Sequence, residues 1–332
     1  MKVFVTGGTG FIGQPLTRML LQRGWDVTVL VRKPESPEAR AIQSLGAQLV
    51  AGDVTDRESM REAMMGAGAV IHNAAWYEFG IPRRAQNRMR TINVQGTENT
   101  LGLAMELGIP KIVYTSSILA FGQTGNIIAD ETFQRRAPPI SFYEQTKMEA
   151  HEMVVTLQKK GAPIVIACPA GVIGPGDRSG LGYLVRMYVR GFLPPVLWAQ
   201  HGRRAHVFVE DAAEGIVRCL EYGKAGETYI LSNGIMQHRD MFRLWKQTPG
   251  GFKVTLFWMP YPMAMLFNCL AEPIERLFGL PVVFCREFAL AAFASWQFCA
   301  TKAERELGMH FRSLEDAWLE TLEGERALAR KG

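Results

Sequence analysis

The sequence has little of what marks a disulfide-stapled, metal-bound or membrane-spanning chain. Its 332 residues include only 5 cysteines, Cys168, Cys219, Cys269, Cys285 and Cys299. The count is odd and no Cys-x-x-Cys pair occurs, which argues against a disulfide framework or structural zinc site and fits a reducing compartment. The histidines show no metal-ligand spacing, so no metal is expected. No long Lys/Arg block occurs. The 37 basic and 32 acidic residues leave a net charge of +5, mixed along the chain, and no nucleic-acid partner is expected. The longest uncharged run, residues 254–271, contains Pro260, Pro262 and Asn268 and reads poorly as a membrane span. It is expected as a substrate-cap or core helix, with a membrane-surface role as the lesser alternative and no stable membrane insertion. The start, MKVFVTGG, puts glycines where a secretory signal needs a long apolar stretch, so a cytoplasmic location is expected. There are no internal repeats.

What is present is an alternation. Short β-branched runs at 2–6, 27–32, 48–51, 69–72, 111–115 and 164–168 are separated by helix-compatible stretches, including 12–23, 84–107 and 143–160. Strands alternating with helices predict an α/β fold: a Rossmann-type doubly wound parallel sheet covered on both faces. After Cys168 the rhythm breaks into a Gly/Pro-rich loop at 169–182. The division expected is a dinucleotide-binding domain over 1–170 and a smaller, mainly substrate-binding region over 171–332. Segments within about 205–231 are expected to return to the first sheet.

The first strand runs into Thr6-Gly7-Gly8-Thr9-Gly10-Phe11-Ile12-Gly13. Gly7, Gly10 and Gly13 meet the need for a tight turn, close backbone approach to a pyrophosphate and close helix–strand packing, and the following helix start attracts anions. The second strand ends in Arg32-Lys33, where an acidic residue would suit the ribose hydroxyls of NAD. Two cations there suit a 2′-phosphate, so NADP(H) is expected in preference to NAD(H); solvated surface charge is the competing reading. Asp53-Val54 follows the third strand, with Asp53 a candidate for the adenine amino group or an N-cap. Asn73-Ala74-Ala75 follows the fourth, where small residues let a cofactor pass close to backbone.

Tyr143 and Lys147 are four apart and share one helix face. A nearby ammonium lowers a phenol pKa and makes tyrosine a usable acid or base. Ser116 and Ser117 follow the fifth strand at its carboxyl end, where open α/β sheets bind ligands. Ser117, Tyr143 and Lys147 beside a nicotinamide would make a carbonyl-reduction site.

With these residues in view, the chain resembles the extended short-chain dehydrogenases/reductases of the NAD-dependent epimerase/dehydratase superfamily. The likeness rests on TGGTGFIG, Gly52-Asp53-Val54, Asn73-Ala74-Ala75, Asn93-Val94-Gln95-Gly96-Thr97, Thr115-Ser116-Ser117, Tyr143 to Lys147, Pro169 to Gly176, Val209-Glu210-Asp211-Ala212-Ala213 and Lys302 to Gly308. It is most similar to the dihydroflavonol 4-reductase-like group, with its 3β-hydroxysteroid dehydrogenase relatives and hopanoid-associated sugar epimerases. The resemblance implies that Tyr143 is the proton donor or acceptor, that Lys147 binds the nicotinamide ribose and tunes Tyr143, and that Ser117 orients the carbonyl. It implies cofactor contacts from Thr9, Phe11, Ile12, Thr115, Pro169, Ala170 and Val172. It also implies a homodimer, and a place in the site for Asn93 that is more often structural. Phe208 and Val209 depart from the family's histidine before its Asp.

On the substrate side, Trp76, Tyr77 and Phe79 follow the fourth strand, while Trp198, Phe252, Phe257, Trp258 and Tyr261 lie in the variable half with Met259, Met263 and Met265. Lining a cleft, they would suit a bulky apolar small molecule. Arg186, Arg190, Arg203 and Arg204 are candidates for a substrate diphosphate or for solvated surface charge. His151 is expected on a helix surface. The leading reading is an NADP-dependent oxidoreductase acting on a ketone, aldehyde or secondary alcohol. The alternatives are an NDP-sugar epimerase/dehydratase holding NAD tightly, and a non-catalytic dinucleotide-binding regulator.

Overall fold

A computed structural model describes residues 1–248, 257–278 and 282–331. Seven parallel strands form the central sheet: β1 (Lys2–Thr6), β2 (Asp26–Val31), β3 (Gln48–Ala51), β4 (Ala69–His72), β5 (Ile112–Thr115), β6 (Ile164–Pro169) and a later strand, Thr228–Leu231. Their spatial order from one edge is Thr228–Leu231, β6, β5, β4, β1, β2, β3, and every pairing is parallel. Helices cover both faces, so central strands are buried on both sides. Val3, Phe4 and Val5 are fully buried, as are Val70 and Ile71. This explains why these strands read as continuous apolar runs rather than alternating ones. The order reverses between β1 and β4, and the carboxyl ends of those strands open the crevice where such sheets bind ligands.

Of the segments expected to return to this sheet, Thr228–Leu231 does pair with β6. Arg203–Phe208 does not. It lies in a separate three-stranded sheet, parallel to Gly171–Ile173 and antiparallel to Gly234–Gln237. The break after Pro169 sends the chain out of the first sheet, and Arg203–Phe208 pairs with the strand that this break creates.

The stretch 84–107 is not one regular helix. Arg83–Arg90 passes through a wide π-helical turn, Thr91–Gln95, into Gly96–Glu106. The turn carries buried Asn93, whose Oδ1 accepts from the Trp76 N–H (2.7 Å) and whose Nδ2 donates to Trp76 O (3.0 Å) and Thr146 Oγ1 (2.9 Å). Those bonds repay the locally disturbed ladder and tie the loop after β4 to the helix Phe142–Lys159.

The uncharged run is not a core helix either. Tyr261–Leu277 is helical and turns most of its large apolar side chains to solvent. Residues 254–256 of that run, and Phe252, lie outside the described residues. No helix among the described residues is long and apolar enough to cross a membrane.

Candidate active site

The glycine turn joins β1 to the helix Gly13–Gln22. Gly7 has φ +71°, and a Cβ there would sit 2.7 Å from the Ala74 backbone nitrogen. A Cβ on Gly13 would sit 1.9 Å from Gly7 O. Both positions therefore demand glycine, one for its conformation and its neighbour, the other for close approach. No side chain caps the helix at Ile12; Gln14 N–H donates to Gly10 O (3.0 Å) and Leu16 N–H to Ile12 O (3.1 Å), and Pro15 has none, so the Ile12 and Gly13 N–H groups and the positive helix end are left for an anion. Asn73 donates to Gly7 O at 3.4 Å, while its buried Oδ1 has no partner among the described residues. Phe11, Ile12 and Val172 pack on one apolar cluster, which brings the glycine turn against the segment after β6. A dinucleotide fits this edge: an uncapped helix start, glycines no Cβ can replace, and an orphaned acceptor.

Arg32 and Lys33 are exposed at the end of β2. Asp53 Oδ1 accepts from both the N–H and the hydroxyl of Thr55 (2.9 Å each), so one carboxylate oxygen serves the turn.

A directed hydrogen-bond chain lies behind the turn. Ala74 N–H donates to Thr6 Oγ1 (3.3 Å), which faces His72 Nδ1 (2.8 Å); His72 Nε2 faces Thr97 Oγ1 (3.0 Å), which donates to Asn93 O (2.7 Å). Because each threonine hydroxyl has one proton, the chain is satisfied with His72 neutral and Nε2 protonated. Burial, aided by the Lys147 charge, pushes His72 down to about 3.

The catalytic candidates converge at the carboxyl end of β5. Lys147 is buried, donates from Nζ to Thr115 O (3.1 Å) and lies 5.6 Å from the Tyr114 ring centre. Burial pulls its pKa down to about 8. Tyr143, one turn earlier, is buried, with Tyr77 edge-on at 4.7 Å and Phe79 at 6.4 Å. Burial first, then the neighbouring phenols of Tyr77 and Tyr114, raise Tyr143 well above its ordinary value. Trp76 packs against the same cluster, so the aromatic loop after β4 flanks Tyr143. Ser117 caps the short turn Ile118–Phe121, accepting from Leu119 N–H at 3.2 Å.

Ser116 and Ser117 are separated by orientation. Ser116 Oγ is 2.9 Å from His151 Nδ1, and both residues are buried. His151 is therefore not a surface residue: it lies one turn beyond Lys147 on the inward face of the helix, held near 4 by burial.

An ion pair absent from the sequence reading locks this region. Arg135 Nη1 donates to Glu144 Oε1 (2.8 Å) and Nη2 donates to Leu119 O (2.7 Å), while Glu144 Oε2 accepts from Ile140 N–H (3.0 Å). Arg135 thereby ties the Ser117 turn to the Tyr143 helix. Nothing in residue spacing marks it, because Arg135 sits in an irregular loop.

Next to the Tyr143 cluster lies a narrow cavity. Leu181, Leu184, Leu197, Trp198, Met241 and Phe242 supply apolar walls, and Arg204, His206 and His238 the polar ones. Phe79 links it to Tyr143, being 6.3 Å from Phe288 on the cavity wall. Arg204 lies 4.7 Å from the Trp296 ring centre and donates to Ala291 O (2.8 Å). The four candidate arginines do not converge here. Arg186 donates to Asp177 O and lies 3.6 Å from Glu325, and Arg190 and Arg203 are exposed. A second depression, by Met105, Pro110, Leu157 and Pro163, lies at the amino-terminal edge of β5 and β6, away from these groups. No cluster of metal-ligating side chains occurs among the described residues.

Four histidines, His72, His151, His206 and His238, have pKa values lowered mainly by burial. Each takes up a proton more readily in the unfolded chain. The stability they contribute is present above about pH 6.5 and is lost as pH falls toward their folded values. Thermal midpoints measured from pH 7.5 to 5 are expected to fall steeply below about 6.5. Buried carboxyls with raised values, Glu144 and Glu287 among them, act in the opposite direction, so the comparison is with a His238→Asn variant: a fall as steep as the wild type's would remove that histidine from the effect.

Fold and glycine turn together define a dinucleotide-binding α/β enzyme, with Ser117, Tyr143 and Lys147 as its candidate site residues. Residues 3–232 match the model of the NAD dependent epimerase/dehydratase family, and the chain belongs to that family. It is an NAD(P)-dependent oxidoreductase of the extended short-chain dehydrogenase/reductase type. It is 30% identical, over 95% of its length and 91% of the relative's, to a candidate dihydroflavonol 4-reductase of Synechocystis sp.. It is 29% identical, over 97% and 96%, to a 4-hydroxy-2-methyl-3-oxo-4-farnesyl-3,4-dihydroquinoline-1-oxide ketoreductase of Stigmatella aurantiaca. Among solved structures it superposes on gox2253 with a TM-score of 0.82 and 31% identity, covering 99% and 98% of the two chains. UDP-glucose 4-epimerase of Thermotoga maritima shares the fold, with a TM-score of 0.79 and 21% identity over 99% and 100%.

Proposed function

We propose that the protein is an NADP(H)-dependent reductase of ketones or aldehydes on bulky apolar molecules, running in reverse on the corresponding alcohols. The observation that carries the reaction is Tyr143 one helical turn from Lys147, with Lys147 Nζ bonded to Thr115 O at the carboxyl end of β5. Held along this edge by the Gly7–Gly13 turn and Asn73, NADPH would supply a hydride for the carbonyl carbon. Tyr143 delivers its phenolic proton to the carbonyl oxygen, Ser117 orients that oxygen, and the Lys147 ammonium stabilises the tyrosinate left behind. The buried surroundings of Tyr143 favour its protonated form, which is the form a proton donor needs.

Exposed Arg32 and Lys33 after β2 support a 2′-phosphate reader. The Gly7–Gly13 turn would hold the pyrophosphate and Asn73 the passing cofactor. The apolar cavity walls support a lipophilic substrate, a character shared with the farnesylated substrate named for the Stigmatella ketoreductase.

Fluorescence titration of NADPH and NADH on the purified protein tests the cofactor. NADPH should bind at least about tenfold more tightly, and Arg32→Asp should erase that preference by removing a charge-assisted hydrogen bond of about 1.5–3 kcal/mol. NAD retained through purification would overturn the NADP reading and favour an internally regenerated cofactor, as epimerases use.

A further inference from the structure

The helix Tyr261–Leu277 is amphipathic the wrong way round. Its ionisable groups turn toward the protein. Buried Glu275 accepts from the N–H groups of Val283 (3.0 Å) and Phe284 (3.1 Å). Arg276 is held by Glu272 (2.9 Å) and donates to Gly80 O. Asn268 is fully buried and donates to Ala264 O.

The solvent side carries Met263, Leu266, Leu270, Ile274 and Leu277, spaced as one helical stripe, and each is between 54% and 80% exposed. The helix's 17 residues make a stripe about 25 Å long. Exposed Phe257 extends it: Phe257 N–H bonds Pro195 O (2.8 Å), which also brings the loop of exposed Phe192 to the start of the helix. Contiguous apolar surface of this kind is rare on a soluble monomer without a partner.

We propose that this face docks the protein onto an anionic lipid surface. The helix face is almost bare of hydrogen-bonding groups, whereas a protein–protein interface carries about ten direct hydrogen bonds. A helix lying in the headgroup–acyl boundary needs only the apolar stripe and nearby cations. Exposed Arg190, two residues before Phe192, and exposed Arg286, just beyond the segment that caps Glu275, supply cations toward the two ends. Neither has a carboxylate partner among the described residues. The stripe is also one aromatic layer from the cavity, since Phe267 packs 6.0 Å from Trp198 on the cavity wall. The proposal stands whether or not the reductase reading holds.

The test is co-sedimentation of the full-length protein with vesicles of phosphatidylcholine alone and of phosphatidylcholine with 30% phosphatidylglycerol. Binding is expected to the mixed vesicles and to weaken with salt. Leu266→Glu/Leu270→Glu should reduce it at least about tenfold while leaving circular dichroism and dinucleotide binding unchanged. Arg190→Glu/Arg286→Glu should reduce binding to the anionic vesicles about tenfold or more. Equal binding to neutral vesicles overturns the anionic assignment, and full binding by the Leu266/Leu270 variant overturns the surface. No vesicle binding also overturns the proposal; a dimer that this variant dissociates would then identify a second copy as the occupant.

Discussion

Tyr143→Phe is expected to lower kcat/KM for carbonyl reduction by about 10²–10⁴, the range for loss of a positioned general acid. NADPH affinity and thermal midpoint should change little, because no hydrogen bond from the Tyr143 hydroxyl to the protein occurs among the described residues. Lys147 sets the pH dependence of the same step. Its folded pKa is about 8, so it is charged below that pH and loses its proton above it. Reduction should therefore proceed fully below about pH 8 and fall as pH rises through it, approaching a tenfold loss per unit. Lys147→Arg, whose charge persists at all these pH values, should be slower overall and flat from pH 7 to 9. A Tyr143→Phe enzyme with undiminished turnover, or a wild-type profile rising above pH 8, would remove these residues from the chemistry.

Arg135→Met is expected to destabilise the protein by about 3–5 kcal/mol, because it strands the Glu144 carboxylate in a buried site. The side chains are 16% and 1% exposed, so water cannot replace the lost partner. The effect should depend on pH in a defined direction. Burial already raises the Glu144 pKa against the pull of Arg135, and removing the guanidinium raises it further. A carboxyl with a raised folded pKa favours the fold below its unfolded value, and that advantage is lost as pH rises through the folded pKa. The variant should therefore approach the wild type near pH 5 and fall furthest behind it near pH 8. Arg135→Met/Glu144→Met should be more stable than the single variant, since no buried charge remains. Thermal unfolding across pH reads both effects. Turnover should fall as well, because Arg135 holds the Ser117 turn against the helix bearing Tyr143.

Much of the scaffold was legible in residue order. The parallel sheet follows from buried strands that lack alternation. Gly7 and Gly13 announce a turn no other residue can make. Tyr143 and Lys147 share a face because four residues make about one helical turn. These are local facts, set by backbone stereochemistry and periodicity. The features that escaped depend on contacts between distant segments: the Arg135–Glu144 pair, His151 behind Ser116, and His72 between Thr6 and Thr97. Spacing alone puts His151 on a helix surface, but only the packing of its helix on the turn after β5 decides which face is inside. The 84–107 stretch reads as one helix because propensity cannot register that Trp76 offers Asn93 a better partner than the helix ladder does.

The sequence by itself determined that this chain builds a dinucleotide-binding sheet with a tyrosine and a lysine at its carboxyl edge, since periodicity, turn chemistry and helical spacing each act within a few residues. Only the tertiary structure decided where Arg203–Phe208 pairs, which arginine lines the cavity, and that the helix Tyr261–Leu277 turns its charges inward and its leucines outward. An apolar stripe specifies that a helix has two unlike faces; which of them meets the protein is set by the partners that Glu275, Arg276 and Asn268 find there.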